Sequence, residues 1–393
     1  MSEPVRLPFH QPGPMQPAPL LRRLQAQGPI HAIRTAVGDP AWLVTGYEEV
    51  RALLDDDRLG RAHREPQRAS RTGESALFGG PLGDFDTEQG DHRRMRSLLQ
   101  PHFSPKRMRA LRGRVETLTA NLLDEMAAAG PPADLHAALA LPLPIAVICE
   151  LLGIPFADRA RFRAWTQAAA DITDRGRSEQ GLAQLFNYGQ QLVARNRADG
   201  DADADVISRL AATDGVSDDE AAALGMTLLF AGHETTVTVI GKGVLWLLTA
   251  AGQWQALVDD LSRIDAAVEE ILRAPGLGGG GIPRYARIDL EIAGVPVRAG
   301  DLVLLDTGAA NHDAHVFADP DRFDLARPAA PHLTFGHGAH YCIGAPLARI
   351  ELQVAFSQLV ARFPTLELGC AVEDLTFNPY VLTGGLTALP VTW

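Results

Sequence analysis

Three cysteines occur in this 393-residue chain, and one of them, Cys342, stands in the stretch TFGHGAHYCIGAPLAR, residues 334–349. Gly336, Gly338 and Gly344 permit positive φ and let a bulky partner approach the backbone. Ala345 and Pro346 then open a helix, proline suiting its first turn. A cysteine just ahead of a helix start lies near unpaired N–H groups and the positive end of the dipole, which favour the thiolate. A thiolate in a glycine-lined turn is a metal ligand or a nucleophile. The competing reading is an inert buried cysteine, a common core residue.

Three further groups carry potential chemistry. In EEILR, Glu270 and Arg273 are three residues apart and share one helix face, where they can ion-pair. In FAGHETT, Gly232 weakens a long helix, and Thr235 or Thr236 can bond back to a carbonyl and open the ladder. Glu234 and a hydroxyl in that groove can hold water and relay protons. In GDHRRMRSLL, His92 and Arg96 stand at i and i+4 on one face.

The elements that must position these groups are mostly helical. Apolar residues recur at helical intervals over 107–129, 157–170, 179–197, 217–250, 264–273 and 345–363. Ser217 and Glu220 make a capping box, and Pro275 with Gly276 stop the helix bearing Glu270. Strand signals are short: AWLVTG, the hairpin and strand of LEIAGVPVRAGDLVLL, and the C-terminal YVLTGGLTALPVTW. The expected class is mainly α with small β-sheets at the edge, without an alternating βαβ pattern. No linker, repeat or low-complexity tract divides the chain, so residues 1–393 read as one domain.

Composition narrows the function. A formal net charge of −12 argues against general nucleic-acid binding. Cys149, Cys342 and Cys370 form no CxxC pair for structural zinc and no disulfide framework. The N-terminus is proline-rich and lacks the apolar run of a signal peptide, and His233, Glu234 and Lys242 interrupt the most apolar segments. A cytoplasmic, soluble protein without a membrane span is expected.

FGHGAHYCIGAPLAR resembles the haem-binding loop of the cytochrome P450 family, FGxGxHxCxGxxLAR, matching at Phe335, Gly336, Gly338, His340, Cys342, Gly344, Leu347, Ala348 and Arg349. The resemblance implies the cytochrome P450 fold, a helical body with a long central helix over haem b. It makes Cys342 the axial thiolate to the haem iron, pushing electron density towards O–O cleavage. Phe335 packs near the thiolate, and His340 faces a propionate. Glu270 and Arg273 match the family's ExxR pair, and DPDRF matches PxRF, giving Arg322 as third member of that structural network. Ala231, Gly232, Glu234 and Thr235 match [AG]-G-x-[DE]-T, which makes Glu234 and Thr235 the catalytic proton relay; His233, at the variable position, receives no role. His92, Arg96 and Arg284 match propionate contacts. DTEQGDH departs from the family's DPPEH, leaving the loop before His92 open.

The similarity runs from about Arg22 to Trp393 and implies a soluble bacterial monooxygenase. Such an enzyme takes dioxygen and a small-molecule substrate, receives electrons from a separate ferredoxin and ferredoxin reductase, and is monomeric. Hydroxylation or epoxidation of a secondary metabolite is the leading reaction. Oxidative C–C or C–O coupling or ring closure on an aromatic or cyclic-peptide metabolite is the alternative. A non-enzymatic haem sensor has no need of a proton relay, and no further feature supports a cysteine protease. The expected pocket walls are SALFGGPLGDF, the helices over 156–197, the long helix, GLGGGG and NPYVLTGG. Glycines 278–281 remove side-chain bulk, which suits either a rigid multi-ring or cyclic substrate or a loop kept flexible for no specific ligand. Residues 91–114 hold eight Arg or Lys and one acid, Asp91, a reversal of sign that would steer an acidic ferredoxin.

Overall fold

The computed structural model describes residues 4–13, 15–201, 203–275, 280–328, 331–378 and 384–393. Along the chain come β1 (Val5–Arg6), α1 (Pro19–Gln27), β2 (Ile30–Arg34), β3 (Pro40–Val44), α2 (Tyr47–Leu54), β4 (Leu59–Gly60), α3 (Glu88–Leu99) and α4 (Pro105–Ala129). Then follow β5 (Ala133–Asp134), α5 (Pro142–Leu152), α6 (Arg159–Ala169), α7 (Arg175–Asp199), α8 (Val206–Ala211), α9 (Asp218–Thr249), α10 (Gln253–Asp259) and α11 (Ile264–Arg273). The chain closes with β6 (Ile282–Ala286), β7 (Leu290–Ile292), β8 (Val295–Val297), β9 (Leu302–Leu305), α12 (Thr307–Ala310), α13 (Ala345–Arg362), β10 (Glu367–Leu368) and β11 (Pro390–Thr392).

These elements fall into two compact units, Met1–His92 with Asp265–Cys342, and Arg93–Ile264 with Ile343–Trp393. The first is built on a six-stranded sheet of order β1-β2-β3-β9-β6-β4. Its centre is apolar on both faces: Leu43, Val44, Val303, Leu304 and Leu305 are all buried, as expected for strands covered on two sides. Tyr47, Val50 and Leu54 of α2 pack on one face with Phe317, and Leu21 of α1 packs on the other. β7 and β8 form a hairpin whose turn residues, Ala293 and Gly294, both have positive φ, 48° and 80°.

The second unit is helical around α9, which carries seventeen buried residues over 32 positions. α5, α7 and α13 pack against it. Ser217 caps its start, its Oγ accepting from the Glu220 backbone N–H at 3.1 Å. The reciprocal half of the expected capping box is replaced: the Glu220 carboxylate takes Arg94, at 2.7 and 2.8 Å. α9 is long and apolar enough to cross a membrane, yet half of its most apolar window is packed inside the protein. A three-stranded sheet, β10-β11-β5, completes this unit.

Candidate functional site

The cysteine loop is shaped by backbone geometry. Gly336 and Gly338 have φ of 75° and 65°, and a Cβ at Gly338 would sit 1.8 Å from Asp55 Oδ1. Asp55 accepts the Ala339 N–H at 3.2 Å and so holds the loop from α2. Gly344, expected to share the left-handed conformation, has φ −81° and serves as N-cap of α13. The Cys342 N–H donates to the Phe335 carbonyl at 2.8 Å, closing a loop from which the Cys342 side chain is exposed. Cys149, by contrast, is buried in α5, and burial pushes its thiol up to about 12.

The loop hangs from a buried ionic network. Arg273 grips Glu270 through Nε and one terminal nitrogen at 2.7 and 2.9 Å. The third member is Arg327, whose Nε lies 3.2 Å from both Glu270 oxygens. Arg322, expected there, points its side chain to Asp324 at 3.4 Å and is 63% exposed. Only its carbonyl joins the network, accepting from Arg273 and Arg327. The reason is local: the Asp324 N–H binds Glu270 Oε1, which leaves that carboxylate outside to draw Arg322 away. Arg273 also donates to the Asn311 carbonyl at 3.0 Å. The Asn311 side chain accepts from the Leu333 N–H and donates to Thr334 Oγ1, two residues at the start of the cysteine loop. Arg327, Asn311 and Thr334 escaped the sequence reading; ANHD around Asn311 carries no spacing that would have marked it.

His92 and His340 stack, ring centroids 3.9 Å apart and 27° from parallel. Arg96 lies one turn beyond His92 on α3. The DTEQ stretch before His92 forms a side-chain-capped turn, Asp84 Oδ1 accepting from the N–H groups of Asp86 and Thr87 at 2.8 and 3.2 Å. Arg284, in β6, is 5% exposed, and among the described residues its side chain makes one hydrogen bond, to the Pro283 carbonyl at 2.9 Å. Burial and then Arg61 lower its pKa to about 10.

α9 carries the acid and hydroxyls. It runs unbroken through residues 231–236, so the expected opening does not interrupt the helix. Both threonines bond back to it: Thr235 Oγ1 donates to the Ala231 carbonyl at 3.0 Å, and Thr236 Oγ1 to that of Gly232 at 3.3 Å. Thr235 is exposed, Glu234 half-buried and Thr236 buried. His233, left without a role above, is fully buried beside Thr166 Oγ1 at 3.4 Å, and burial takes its pKa down to about 4. Gly232 makes room for Ile148, whose Cδ1 would lie 3.0 Å from a Cβ there.

Of the expected pocket walls, SALFGGPLGDF folds onto itself, the Gly79 N–H donating to the Ser75 carbonyl at 2.8 Å, where a Cβ at Gly79 would strike that carbonyl at 2.4 Å; Thr72, just before it, donates its Oγ1 to the Phe78 carbonyl. Residues 276–279 of the glycine stretch and 379–383 of NPYVLTGG lie outside the described residues.

A cytochrome P450 family model matches residues 250–374, spanning the ionic network and the cysteine loop. Pentalenolactone synthase of Streptomyces exfoliatus is 44% identical, with 100% of each chain covered. The chain belongs to the cytochrome P450 family. Among solved structures, cytochrome P450 PimD, a polyene macrolide antibiotic pimaricin epoxidase, matches with a TM-score of 0.89 at 38% identity, covering 100% of both chains. A cytochrome P450 with biaryl coupling reactivity matches with a TM-score of 0.86, also at 38% identity and 100% coverage of both. The protein is therefore a P450 oxidoreductase of the bacterial secondary-metabolite kind, and its family binds haem b through a cysteine thiolate. The residues present fit that group: an exposed thiol on a glycine-turned loop for iron, and, for a propionate, a buried arginine that makes no ion pair among the described residues.

Proposed function

We propose that this P450 inserts one oxygen atom of dioxygen into a ring-bearing secondary metabolite, with Cys342 as axial thiolate. The observation that carries the reading is the Cys342 loop: an exposed thiol, held by two positive-φ glycines and the Glu270 network, in the family's haem-binding sequence. When bound, haem supplies the oxidising chemistry. His92, Arg96, Arg284 and His340 hold its carboxylates, and Phe335 packs beside the thiolate. Glu234 and Thr235 pass protons from solvent to the reacting oxygen, the hydroxyl orienting water and the carboxylate exchanging the proton. The macrolide epoxidase and the pentalenolactone synthase among its relatives favour a bulky cyclic substrate.

Electrons arrive from a ferredoxin, itself served by a ferredoxin reductase, on the basic segment of α3 and α4. Of its cations, Arg94, Arg107, Arg112 and Arg114 are engaged with Glu220, Asp203, Glu116 and Glu150. Arg93, Lys106 and Arg109 are exposed and make no ion pair among the described residues, so they are the charges available to an acidic partner. The setting is cytoplasmic.

The first test is the ferrous carbon-monoxide spectrum. Wild type should show the red-shifted band of thiolate-ligated haem, and Cys342→Ser should lose it; a variant that keeps the band ends the assignment. A second reading, oxidative coupling without oxygen insertion, draws on the biaryl-coupling neighbour. Product mass separates the two, a gain of one oxygen against a loss of two hydrogens.

A further inference from the structure

β4 and β6 pair antiparallel, with Leu59 opposite Ala286 and Gly60 opposite Tyr285. The ladder ends there, and Arg61 follows it directly, close enough to Arg284 for the two charges to act on each other. Like charges brought close at the end of a ladder repel. Neither guanidinium escapes into solvent: Arg284 is buried and Arg61 half-buried. Burial lowers the pKa of both.

The groups around them do not balance that charge. A guanidinium has five N–H donors. Arg284 uses one on the Pro283 carbonyl. Arg61 reaches the Leu77 carbonyl at 3.4 Å and stands 5.8 Å from the centre of the Phe78 ring. Among the described residues Glu88 is the one carboxylate acting on both, and it is already committed. Its oxygens accept the backbone N–H groups of Arg61 and Ala62, and it pairs with Arg287 at 3.1 Å. Gly60 permits this closure, since a Cβ there would lie 2.5 Å from Glu88 Oε2 and 3.2 Å from Arg287. Among the described residues the guanidiniums of Arg61, Arg284 and Arg287 thus share one carboxylate, leaving two positive charges in a largely buried site. Such an excess is costly unless an anion answers it, and guanidinium forks match the planar oxygens of a carboxylate bidentately.

We propose that Arg61 and Arg284 form a two-arginine clamp for a carboxylate, Arg61 being an anchoring residue beyond those that the cysteine-loop motif and its companions mark. The carboxylate is a haem propionate, an arm that rests on the haem assignment above, or the acid group of a carboxylic-acid substrate. Arg61 also contacts Leu77 and Phe78 of the folded SALFGGPLGDF loop, so either ligand would tie that loop to the sheet.

Arg61→Gln and Arg61→Lys are prepared as holoenzymes, and each is used only where it retains the thiolate carbon-monoxide band. Loss of that band in wild type would count against the haem assignment, not against the clamp. Haem transfer to excess apomyoglobin and the midpoint potential report the propionate arm. Spectral titration with adamantane carboxylate and its methyl ester reports the substrate arm. If the clamp holds a propionate, Arg61→Gln releases haem about tenfold faster and lowers the potential, and Arg61→Lys restores the potential. If it holds a substrate acid, haem release is unchanged and the preference for acid over ester falls about tenfold. Unchanged haem release together with an unchanged acid preference overturns the proposal, and a wild type that does not bind the acid counts as unchanged. Faster haem release with an unmoved potential also overturns it, since that is the mark of a merely structural arginine.

Discussion

Three substitutions around Glu270 should rank in an order that the sequence motif alone would get wrong. Glu270→Gln removes the anion between Arg273 and Arg327 and leaves two guanidiniums facing each other, with Glu270 and Arg273 both under 5% exposed. Removing one partner of such a buried set costs about 3–5 kcal/mol. Arg327→Ala leaves the Glu270–Arg273 pair intact. It removes the two 3.2 Å contacts to the carboxylate and the donors to the Ala318, Asp319 and Arg322 carbonyls. Contacts to a charged partner suggest a cost of about 2–3 kcal/mol. Arg322→Ala deletes only an exposed pair with Asp324 and keeps the carbonyl that the network uses. Its cost should stay below about 1 kcal/mol. Against a typical stability of about 5–15 kcal/mol, the first two changes should also weaken haem retention, because Asn311 and Thr334 pass the network's geometry to the cysteine loop. Urea unfolding followed by tryptophan fluorescence, with the Soret band recorded in parallel, measures both effects. Equal destabilisation by Arg322→Ala and Arg327→Ala would refute the assignment of Arg327 as third member.

Thr235→Ala should keep haem and substrate binding but divert reducing equivalents to hydrogen peroxide, and Glu234→Gln should slow turnover with an altered solvent isotope effect; unaltered coupling and rate in both would place the proton path elsewhere. Reversing Lys106 and Arg109 to Glu should slow reduction by ferredoxin at low salt and spare reduction by dithionite. That difference should fade as the Debye length falls from about 10 Å at 0.1 M to about 3 Å at 1 M, and equal ferredoxin rates at low ionic strength would exclude this surface. Burial, with Arg209 and Arg107 behind it, lowers His102 to about 4, so the unfolded chain binds its proton first and stability is lost as pH falls from about 6.5 towards 4. His102→Gln should reduce the slope of stability against pH by up to about 1.4 kcal/mol per unit in that window, as read from urea midpoints; identical slopes would contradict a neutral His102.

Long, strongly periodic helices were legible to within a few residues. The expected 264–273 helix has the observed ends, and 217–250 became Asp218–Thr249. α5 was not legible, because PLPIAVICELL is apolar nearly all round, with Glu150 its one charge: nine of its eleven residues are buried, so no face stands out as periodic. β2 and β6 were missed for a related reason. β6 carries Pro283 and Arg284 where an alternating pattern would be sought, and its pairing with β9 fixes it as a strand.

The candidate site divides along the same physical line. Cysteine, glycine and acid–hydroxyl spacings are local, so Cys342, Gly336, Gly338, Glu234 and Thr235 could be singled out from the chain itself. Which arginine reaches Glu270 depends on a turn. Asp319 has φ of 45° and its carbonyl accepts the Arg322 N–H, a bend that sends Arg322 outward and brings Arg327 back over the carboxylate. Nothing in the spacing of DPDRFDLARP distinguishes those two side chains. The Arg61–Arg284 juxtaposition is more remote still, since it exists only once β4 has found β6 in one register. A slip of a single residue would turn the β4 side chains to the opposite sheet face and change where the chain delivers Arg61. The register is pinned by Leu59 and Ala286, both buried in the same core, and by Gly60, where any side chain would displace Glu88 from Arg287. Packing therefore delivers Arg61 near the buried Arg284 despite their like charge, which is the physical ground for expecting an anion there.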